Sequence, residues 1–338
     1  MRKILIFVII CSLSFSSYVK AIDYAILISA GQATTDNTFS NSEYWYDLFL
    51  AFEDLVLREG YDPANIFVFY GNGTSFNSSR PRYQLALHGW GNIVDFDNNF
   101  ATMNAEFARL GGVITNNDNL HIRWVVGHGK ETGQDKYSAL IQNRNVWITE
   151  NQIVTMINQI ANYNRRKIMW MTCRSGCLAH GTVNLNNNRT VLITSSNWNQ
   201  NSFAYILPGE TIHAEFNYVT TSALFGQDPL GSSFNGDNNG DGVINMWELW
   251  RVADVSPIMR SYPQLGNAGA LANLIYIDEG LQLNNATLPN NIEYRVDNFT
   301  TTNTTIQNNS NVTIDIDQGF NATGTFNAPV GAILNIRP

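Results

Sequence analysis

Two stretches of the chain carry residue types that could perform nucleophilic chemistry. The run Arg166 to Cys177 reads RKIMWMTCRSGC, an apolar segment that ends in a cysteine on a turn of small residues. The run Leu120 to Val126 reads LHIRWVV, and Gly127-His128-Gly129 follows it directly. Both runs are typical of strands buried on both faces of a parallel sheet, whose carboxyl ends hold the sites of open α/β proteins. We therefore expect the Cys173 thiol and the His128 imidazole to face one crevice, as nucleophilic catalysis requires.

Other interpretations of these residues stay open. A buried core position is the usual place of a free cysteine. Cys173, Cys177 and His180 could instead be metal ligands with His128 as the fourth, but the Ser-Gly turn suits an exposed nucleophile better. Cys177 would then be a packing residue, or a redox-sensitive partner of Cys173. His88 follows no predicted strand, which favours a loop residue over the catalytic base.

Length, charge and the amino-terminal segment limit the class of protein. The 338 residues, 44% of them hydrophobic, can form one large core and a small second domain. The net charge of −8 is spread without long runs, which predicts no nucleic-acid partner. Residues 1–21 have the basic residues Arg2 and Lys3, then the apolar run Ile4 to Ile10 and then Val19-Lys20-Ala21, which indicates a secretory signal peptide. We expect a secreted protein, extracellular or periplasmic, with no membrane span in the mature chain. Its two remaining cysteines favour a catalytic thiol over a disulfide scaffold.

The segments around the two strands predict an α/β fold. Tyr24 to Ser29 and Ile66 to Tyr70 read as strands, and Asp47 to Arg58 between them has apolar residues at helical spacing. These three segments form a right-handed βαβ unit. Past about residue 285 the composition changes to Asn and Thr with short alternations, which predicts a small all-β appendage. The other predicted elements are helices at Thr102 to Leu110, Thr149 to Ala161 and Ile212 to Phe225, a hairpin at Tyr137 to Trp147 and a strand at Thr190 to Thr194.

The order of these motifs resembles a known family. A hydrophobic strand ending in His-Gly, followed some tens of residues later by one ending in Cys-x-Ser-Gly, resembles the caspase-like cysteine peptidases and, within them, the legumain-like branch. The resemblance covers roughly residues 23 to 253 and implies a caspase-like three-layer αβα sandwich with a mostly parallel central sheet. The predicted organisation is a signal peptide over 1–21, a catalytic domain over 22–284 and the appendage over 285–338. The further stretches similar to bacterial members are Tyr24 to Gly31 with Tyr44 to Asp47, Ala101 to Asn104, and Val191 to Tyr205.

The resemblance implies a cysteine endopeptidase that acts on a peptide or protein substrate. Cys173 would attack, His128 would act as general acid and base, and the backbone N–H groups of Gly129 and Cys173 would form the oxyanion hole. A peptide ligase or transpeptidase of the same fold remains an alternative, because an amine can replace water on the acyl-enzyme. A non-catalytic calcium-dependent binding or adhesion protein is a second alternative, but the presence of both Cys173 and His128 argues against it.

The residues expected to set specificity depart from the legumain-like pattern. That pattern has an Arg four residues before the Asp that matches Asp47 and an acidic residue after the nucleophile, and together they hold an Asn side chain. This chain has Glu43 and Arg174 at those places. We expect the two to pair across the S1 pocket with reversed polarity, so that the P1 residue is Asn or a basic residue; the alternative is that both are solvated. Ser195 and Ser196 would form a pocket wall.

Residues 237–248, DNNGDGVINMWE, match the twelve-residue EF-hand calcium loop, with Gly242 at position 6. A helix is predicted to follow from Asn245 to Ala253, whereas residues 226–236 read as a loop, so the motif resembles a lone dockerin-type loop. We expect a structural Ca²⁺ with no part in catalysis. The predicted ligands, at positions 1, 3, 5, 7, 9 and 12, are Asp237, Asn239, Asp241, the Val243 carbonyl, Asn245 and Glu248.

Overall fold

The computed structural model describes residues 21–36, 42–133, 136–180, 185, 189–207, 211–240 and 244–266, together with five strands between 280 and 337. The α-helices are α1 (Glu43–Leu57), α2 (Phe100–Gly111), α3 (Glu150–Asn158), α4 (Gly176–His180), α5 (Glu215–Phe225) and α6 (Met246–Val255). Short 3₁₀ turns lie at Pro63–Asn65, Pro81–Tyr83, Leu85–His88 and Gln142–Arg144. The strands up to residue 266 are β1 (Asp23–Ser29), β2 (Ile66–Tyr70), β3 (Asn119–Val126), β4 (His128–Gly133), β5 (Lys136–Ile141), β6 (Val146–Thr149), β7 (Arg166–Trp170), β8 (Thr190–Thr194), β9 (Ala204–Ile206), β10 (Ile212–Ala214) and β11 (Gln264–Leu265).

A six-stranded sheet forms the centre of the fold, in the order β11-β8-β7-β3-β1-β2. Its strands pair in parallel except for β11, which runs antiparallel to β8 at one edge. Every residue of β3, β7 and β8 is buried, as expected for strands covered on both faces. The prediction of an α/β fold with a mostly parallel central sheet is confirmed.

Helices cover both faces of this sheet. The strand register puts Arg123 of β3 and Phe67 of β2 one position apart, so the two side chains point to opposite faces. Arg123 lies 3.7 Å from Asp54 of α1 and donates to Asn217 of α5 at 2.7 Å, which places α1 and α5 on one face. On the other face the Arg109 guanidinium of α2 lies over the Phe67 ring, and α3 packs beside α2. The result is the expected αβα arrangement of three layers.

Several helices begin at residues other than the predicted ones. Helix α2 begins after Asn99, whose side chain accepts from Ala101 N at 2.9 Å, rather than after Thr102. Helix α1 begins at Glu43, and the helix predicted from Ile212 divides into β10, which pairs with β9, and α5. The Thr149 cap of α3 is confirmed as a capping box.

A second, three-stranded antiparallel sheet follows β3 directly, in the order β4-β5-β6. The sequence predicted a hairpin over Tyr137 to Trp147, but the sheet begins earlier, at His128. His128 therefore starts a strand of its own, paired with Leu140 of β5.

The carboxyl-terminal strands form a separate sheet of β12 (Gly280–Asn284), β13 (Thr287–Leu288), β14 (Ile292–Ile306), β15 (Asn311–Asn327) and β16 (Ile333–Arg337). All its described pairs are parallel, including Ile292 with Val312 and Val312 with Leu334. Only residues 307–310 separate β14 from β15, a connection that reaches at most roughly 18 Å, whereas retracing the 15 residues of β14 in a flat sheet takes about 50 Å. The strands must therefore bend round as in the coils of a β-solenoid, and the register shifts within β14 are where such bends are expected.

The predicted signal peptide lies almost wholly in residues 1–20, outside the described residues. In the part of the chain that the structure describes, no helix is both long enough and apolar enough to cross a membrane.

Candidate active site

The two strand ends that carry Cys173 and His128 are neighbours in the central sheet. Strands β3 and β7 are parallel, with Trp124 opposite Trp170. Just beyond them, the Met171 N–H donates to the Trp124 carbonyl oxygen at 2.9 Å. The chain then reaches His128 on one side and Cys173 on the other. The tertiary structure thus brings both predicted catalytic residues to the same edge of the sheet.

Gly129 contacts the backbone that carries the thiol. A Cβ atom built on Gly129 would lie 2.0 Å from the Cys173 carbonyl oxygen and 2.8 Å from Thr172 Oγ1, which no real side chain tolerates. Only glycine allows the two strand ends to approach this closely. The family resemblance implies an oxyanion-hole role for Gly129, but the sequence alone did not predict this contact.

His128 is exposed at the start of β4, and desolvation by the protein around its imidazole lowers the pKa of the ring below the usual value. The ring is therefore neutral at pH 7 and able to accept a proton. In this structure the thiol of Cys173 does not hydrogen-bond to it among the described contacts. Catalytic hydrogen bonds of this kind commonly tighten only when substrate binds.

The Cys173 sulfur lies against Ser202 instead. Its side chain is partly exposed, and Sγ donates to the Ser202 carbonyl oxygen at 3.6 Å. The Ser202 hydroxyl in turn donates to Sγ at 3.8 Å. Sequence reasoning missed Ser202, because a single serine in an Asn-rich loop 29 residues from the cysteine carries no local signal.

The turn after the thiol has an uncommon backbone. Arg174 has a φ of 61°, in the left-handed region that residues other than glycine rarely occupy. Its N–H donates to the Gln200 carbonyl oxygen at 2.8 Å, and its carbonyl oxygen accepts from Cys177 N at 3.2 Å. Such strained positions are kept where the surrounding contacts determine them, and functional sites are a frequent location.

Ser195 and Ser196 hydrogen-bond to the backbone of this turn and do not form a pocket wall. Both are fully buried. Thr172 N donates to Ser195 Oγ at 3.1 Å, and Ser196 Oγ donates to the Thr172 carbonyl oxygen at 3.1 Å. Ser175 N donates to Ser196 Oγ at 3.2 Å. These hydroxyls are bonded to the backbone around Cys173 and are buried, so the predicted pocket wall is not where the structure places them.

Asp47 is also closed to substrate. Its side chain is fully buried on α1, where Ala214 N donates to Oδ2 at 2.7 Å and His213 Nδ1 lies 2.7 Å from Oδ1. The carboxylate thus joins α1 to β10 within the core. The sequence could not show this, because His213 lies 166 residues away.

The predicted pair of Glu43 and Arg174 is not formed. Arg174 Nη1 lies 3.7 Å from Oε2 of Glu131 on β4, on the side of the site where His128 begins its strand. Glu43 is half-buried in the first turn of α1. Burial and the nearby Asp47 carboxylate raise the pKa of Glu43 to about 8.

Tyr44 is a buried residue of α1 next to Glu43. Its ring lies over Gly31 just past β1, where an added Cβ would meet the ring at 2.5 Å. After burial, the charges of Glu43 and Cys173 are the next causes that raise the pKa of the Tyr44 hydroxyl. Glu43 and Cys173 thus both act on the Tyr44 hydroxyl, whereas Arg174 pairs with Glu131 rather than with Glu43.

The alternative metal site at Cys173, Cys177 and His180 gains no support. Cys177 is buried, and its Sγ donates to the Trp198 carbonyl oxygen at 3.8 Å. The side chain of His180 lies outside the described residues, and no cluster of three or more metal-binding side chains occurs within them. His88 ends a 3₁₀ turn in a loop, as predicted.

The calcium loop is described at both ends. Glu248 is fully buried, and its Oε1 accepts from Asn238 N at 3.1 Å and from Asn239 N at 3.2 Å. Asp237 Oδ1 accepts from Gly240 N at 2.6 Å, and Asn245 caps α6 in a capping box with Glu248. The loop thus folds around the Glu248 carboxylate at position 12. The candidate ligand atoms of the described residues are oxygens, which Ca²⁺ prefers. The predicted ligands Asp241 and Val243 lie outside the described residues.

Comparisons with known proteins add little to this geometry. No family model matches the chain, and no curated protein matches it. Among solved structures, the chain is similar to caspase-1 from Spodoptera frugiperda, with a TM-score of 0.43 and 8% sequence identity over 73% of this chain and 86% of that chain. The fold class stated above rests on the strand order and layers of this chain, and membership of the legumain-like branch stays a prediction.

Proposed function

We propose that the protein is a cysteine endopeptidase that uses Cys173 and His128. The observation that carries this proposal is the parallel pairing of β3 and β7, which puts an imidazole and a partly exposed thiol at one sheet edge. The amino-terminal sequence supports export, so the proposed location is extracellular or periplasmic.

The proposed reaction proceeds through an acyl-enzyme. The thiol leaves Ser202, neutral His128 accepts its proton, and the thiolate attacks the carbonyl carbon of the scissile peptide. The N–H groups of Gly129 and Cys173 stabilise the oxyanion, and His128 then protonates the leaving amine. Water, deprotonated by His128, releases the carboxylic acid and restores the thiol.

We propose a P1 residue that is Asn or basic, and Glu43 favours the basic one. Arg174 is paired with Glu131, whereas Glu43 has only the like charge of Asp47 as an electrostatic cause of its raised pKa. A Lys or Arg side chain beside Glu43 would offset that repulsion. A fluorogenic P1 library checks this: Glu43→Gln should lose the basic preference, and a wild-type preference for Asn that is unchanged in Glu43→Gln contradicts it.

We further propose a structural Ca²⁺ in the loop 237–248. Bound calcium at 100 times its Kd would stabilise the fold by about 2.7 kcal/mol. Glu248→Gln is the informative variant, because Gln can keep the capping box but loses the charge. We expect calcium to raise the melting temperature of the wild type and not that of the variant. In chelator the variant should melt somewhat lower than the wild type, because the Gln amide nitrogen cannot accept from Asn238 N and Asn239 N as Glu248 Oε1 does. An equal calcium response in both proteins would exclude Glu248 as a ligand.

Covalent labelling tests the catalytic proposal. A peptide acyloxymethyl ketone should modify one thiol of the calcium-loaded protein, and peptide mapping should place the label on Cys173. Cys173→Ala should abolish labelling, and His128→Ala should slow it by about 10²-fold or more. Cys177→Ala is the matched control, because it removes the other free thiol of the described residues, which is buried. We expect it to label at the wild-type rate.

Two results would contradict the proposal. One is wild-type protein that resists the reagent and cleaves no peptide library in the presence of calcium. The other is Cys173→Ala that labels as the wild type does.

A further inference from the structure

Tyr137 is a fully buried tyrosine that joins the two halves of the candidate site. It lies on β5, opposite Glu131 of β4, the strand that begins at His128. Its hydroxyl is hydrogen-bonded to Thr172 Oγ1, and Trp170 Nε1 donates to it at 2.9 Å. Tyr137 thus belongs to the sheet that follows His128, while both its partners precede Cys173.

Which of these groups can donate and which can accept sets the direction of the hydrogen bonds. The indole N–H of Trp170 can only donate, so the Tyr137 oxygen accepts from it. The Tyr137 hydroxyl then donates its hydrogen bond to Thr172 Oγ1. Thr172 Oγ1 then donates to the Cys173 carbonyl oxygen at 3.2 Å. Burial raises the pKa of Tyr137, so the hydroxyl keeps its proton across the working pH range. One directed chain therefore runs from Trp170 to the carbonyl of the candidate nucleophile.

The same ring also limits the position of Gly129. A Cβ on Gly129 would lie 2.9 Å from Tyr137 Cε2, as well as 2.0 Å from the Cys173 carbonyl oxygen. Gly129 and Cys173 carry the two N–H groups assigned to the oxyanion hole. A single side chain thus contacts the backbone at one of them and, through Thr172, holds the backbone at the other.

We propose that Tyr137, acting through Thr172, is a positioning residue that keeps Cys173 and Gly129 in register for catalysis. This inference rests on the proposed peptidase function. Neither residue is expected to touch substrate. Loss of the hydroxyl leaves Thr172 free to rotate away from the Cys173 carbonyl, and misplacement by about 1 Å is enough to lower a rate by roughly 10²-fold.

Steady-state kinetics of Tyr137→Phe test the inference, after wild-type labelling at Cys173 has established activity. We expect kcat to fall by roughly 10- to 100-fold with KM nearly unchanged, because substrate contacts are kept. Thr172→Val should lower kcat similarly, and Thr172→Ser should restore it. The double variant should lose no more than either single variant, because both break one chain.

The matched control is Tyr163→Phe. Tyr163 is also buried, and its hydroxyl bonds to Thr190 Oγ1 at 3.0 Å. Thr190 is the first residue of β8, so this bond lies at the amino-terminal ends of the parallel strands, away from Cys173. This variant should keep the wild-type kcat.

Three results separate the possible failures. Wild-type protein without labelling removes the proposed function itself. An active wild type with Tyr137→Phe and Thr172→Val both within about threefold in kcat overturns the positioning role, as does an equal loss in Tyr163→Phe. If Tyr137→Phe does not fold by circular dichroism, the contrast between Thr172→Val and Thr172→Ser decides.

Discussion

Replacement of Glu43 by Gln should stabilise the protein at alkaline pH. Glu43 is half-buried in the first turn of α1, and burial followed by the Asp47 charge raises its pKa from 4.5 to about 8. A carboxyl with a raised pKa in the folded state holds its proton more tightly there than in the unfolded chain. Its contribution is therefore complete below pH 4.5 and is lost as pH rises towards 8.

The size of the effect follows from the shift. One pKa unit corresponds to about 1.4 kcal/mol, so the full displacement would cost on the order of 5 kcal/mol above pH 8. Because Glu43 is partly exposed, solvent screening reduces this to about 1–3 kcal/mol. Gln keeps the shape and does not ionise. The difference in free energy of unfolding between Glu43→Gln and the wild type should thus be near zero at pH 4 and grow through pH 9.

Urea unfolding at pH 4, 5, 7 and 9 measures this difference. Asp254→Asn is the control, because its carboxylate forms a surface ion pair with Arg251 on α6 and should give no rising difference. A difference between Glu43→Gln and the wild type that stays constant from pH 4 to 9 would refute the reasoning. The expected gain in stability with loss of basic P1 preference would be a trade-off of stability for function.

Three other perturbations test separate parts of the structure. Gly129→Ala should lower kcat by about 10²–10³-fold with a folded circular dichroism spectrum, because its Cβ meets the Cys173 carbonyl oxygen at 2.0 Å; wild-type activity would exclude the close contact. Arg123→Met should reduce the free energy of unfolding by about 3–5 kcal/mol, since it leaves buried Asp54 without its ion pair. The double variant Arg123→Met with Asp54→Leu should recover part of that loss. Equal losses in the single and the double variant, measured by urea unfolding, would contradict this. Burial, then the charges of Lys167 and Arg123, lower the pKa of His121, so stability should be complete above about pH 6.5 and fall by up to about 1.4 kcal/mol per unit below it. His121→Gln in the Glu43→Gln background should flatten that slope, and an unchanged slope would assign it to other groups.

Local pattern was enough to predict the elements that present the site. The apolar runs before His128 and Cys173 became β3 and β7, because a continuous run of apolar residues is stable only when both faces are covered. Thr149 and Asn245 cap helices where Ser, Thr, Asn and Asp are expected to do so. These features depend on residues that are close in the chain, so the sequence by itself determined them.

Long-range packing decided which side chains meet. Asp47 was expected to contact substrate, but it pairs with a histidine 166 residues away, and Arg174 turned to Glu131 rather than to Glu43. Tyr137 and Ser202 had no sequence signal, since each contacts the Cys173 region across a separation that periodicity does not report. A charge or hydroxyl can pair with any partner that the fold brings within about 4 Å, so tertiary packing determines which partner it has. The sequence therefore determined where the candidate thiol and imidazole lie in their strands, and the tertiary structure decided what surrounds them.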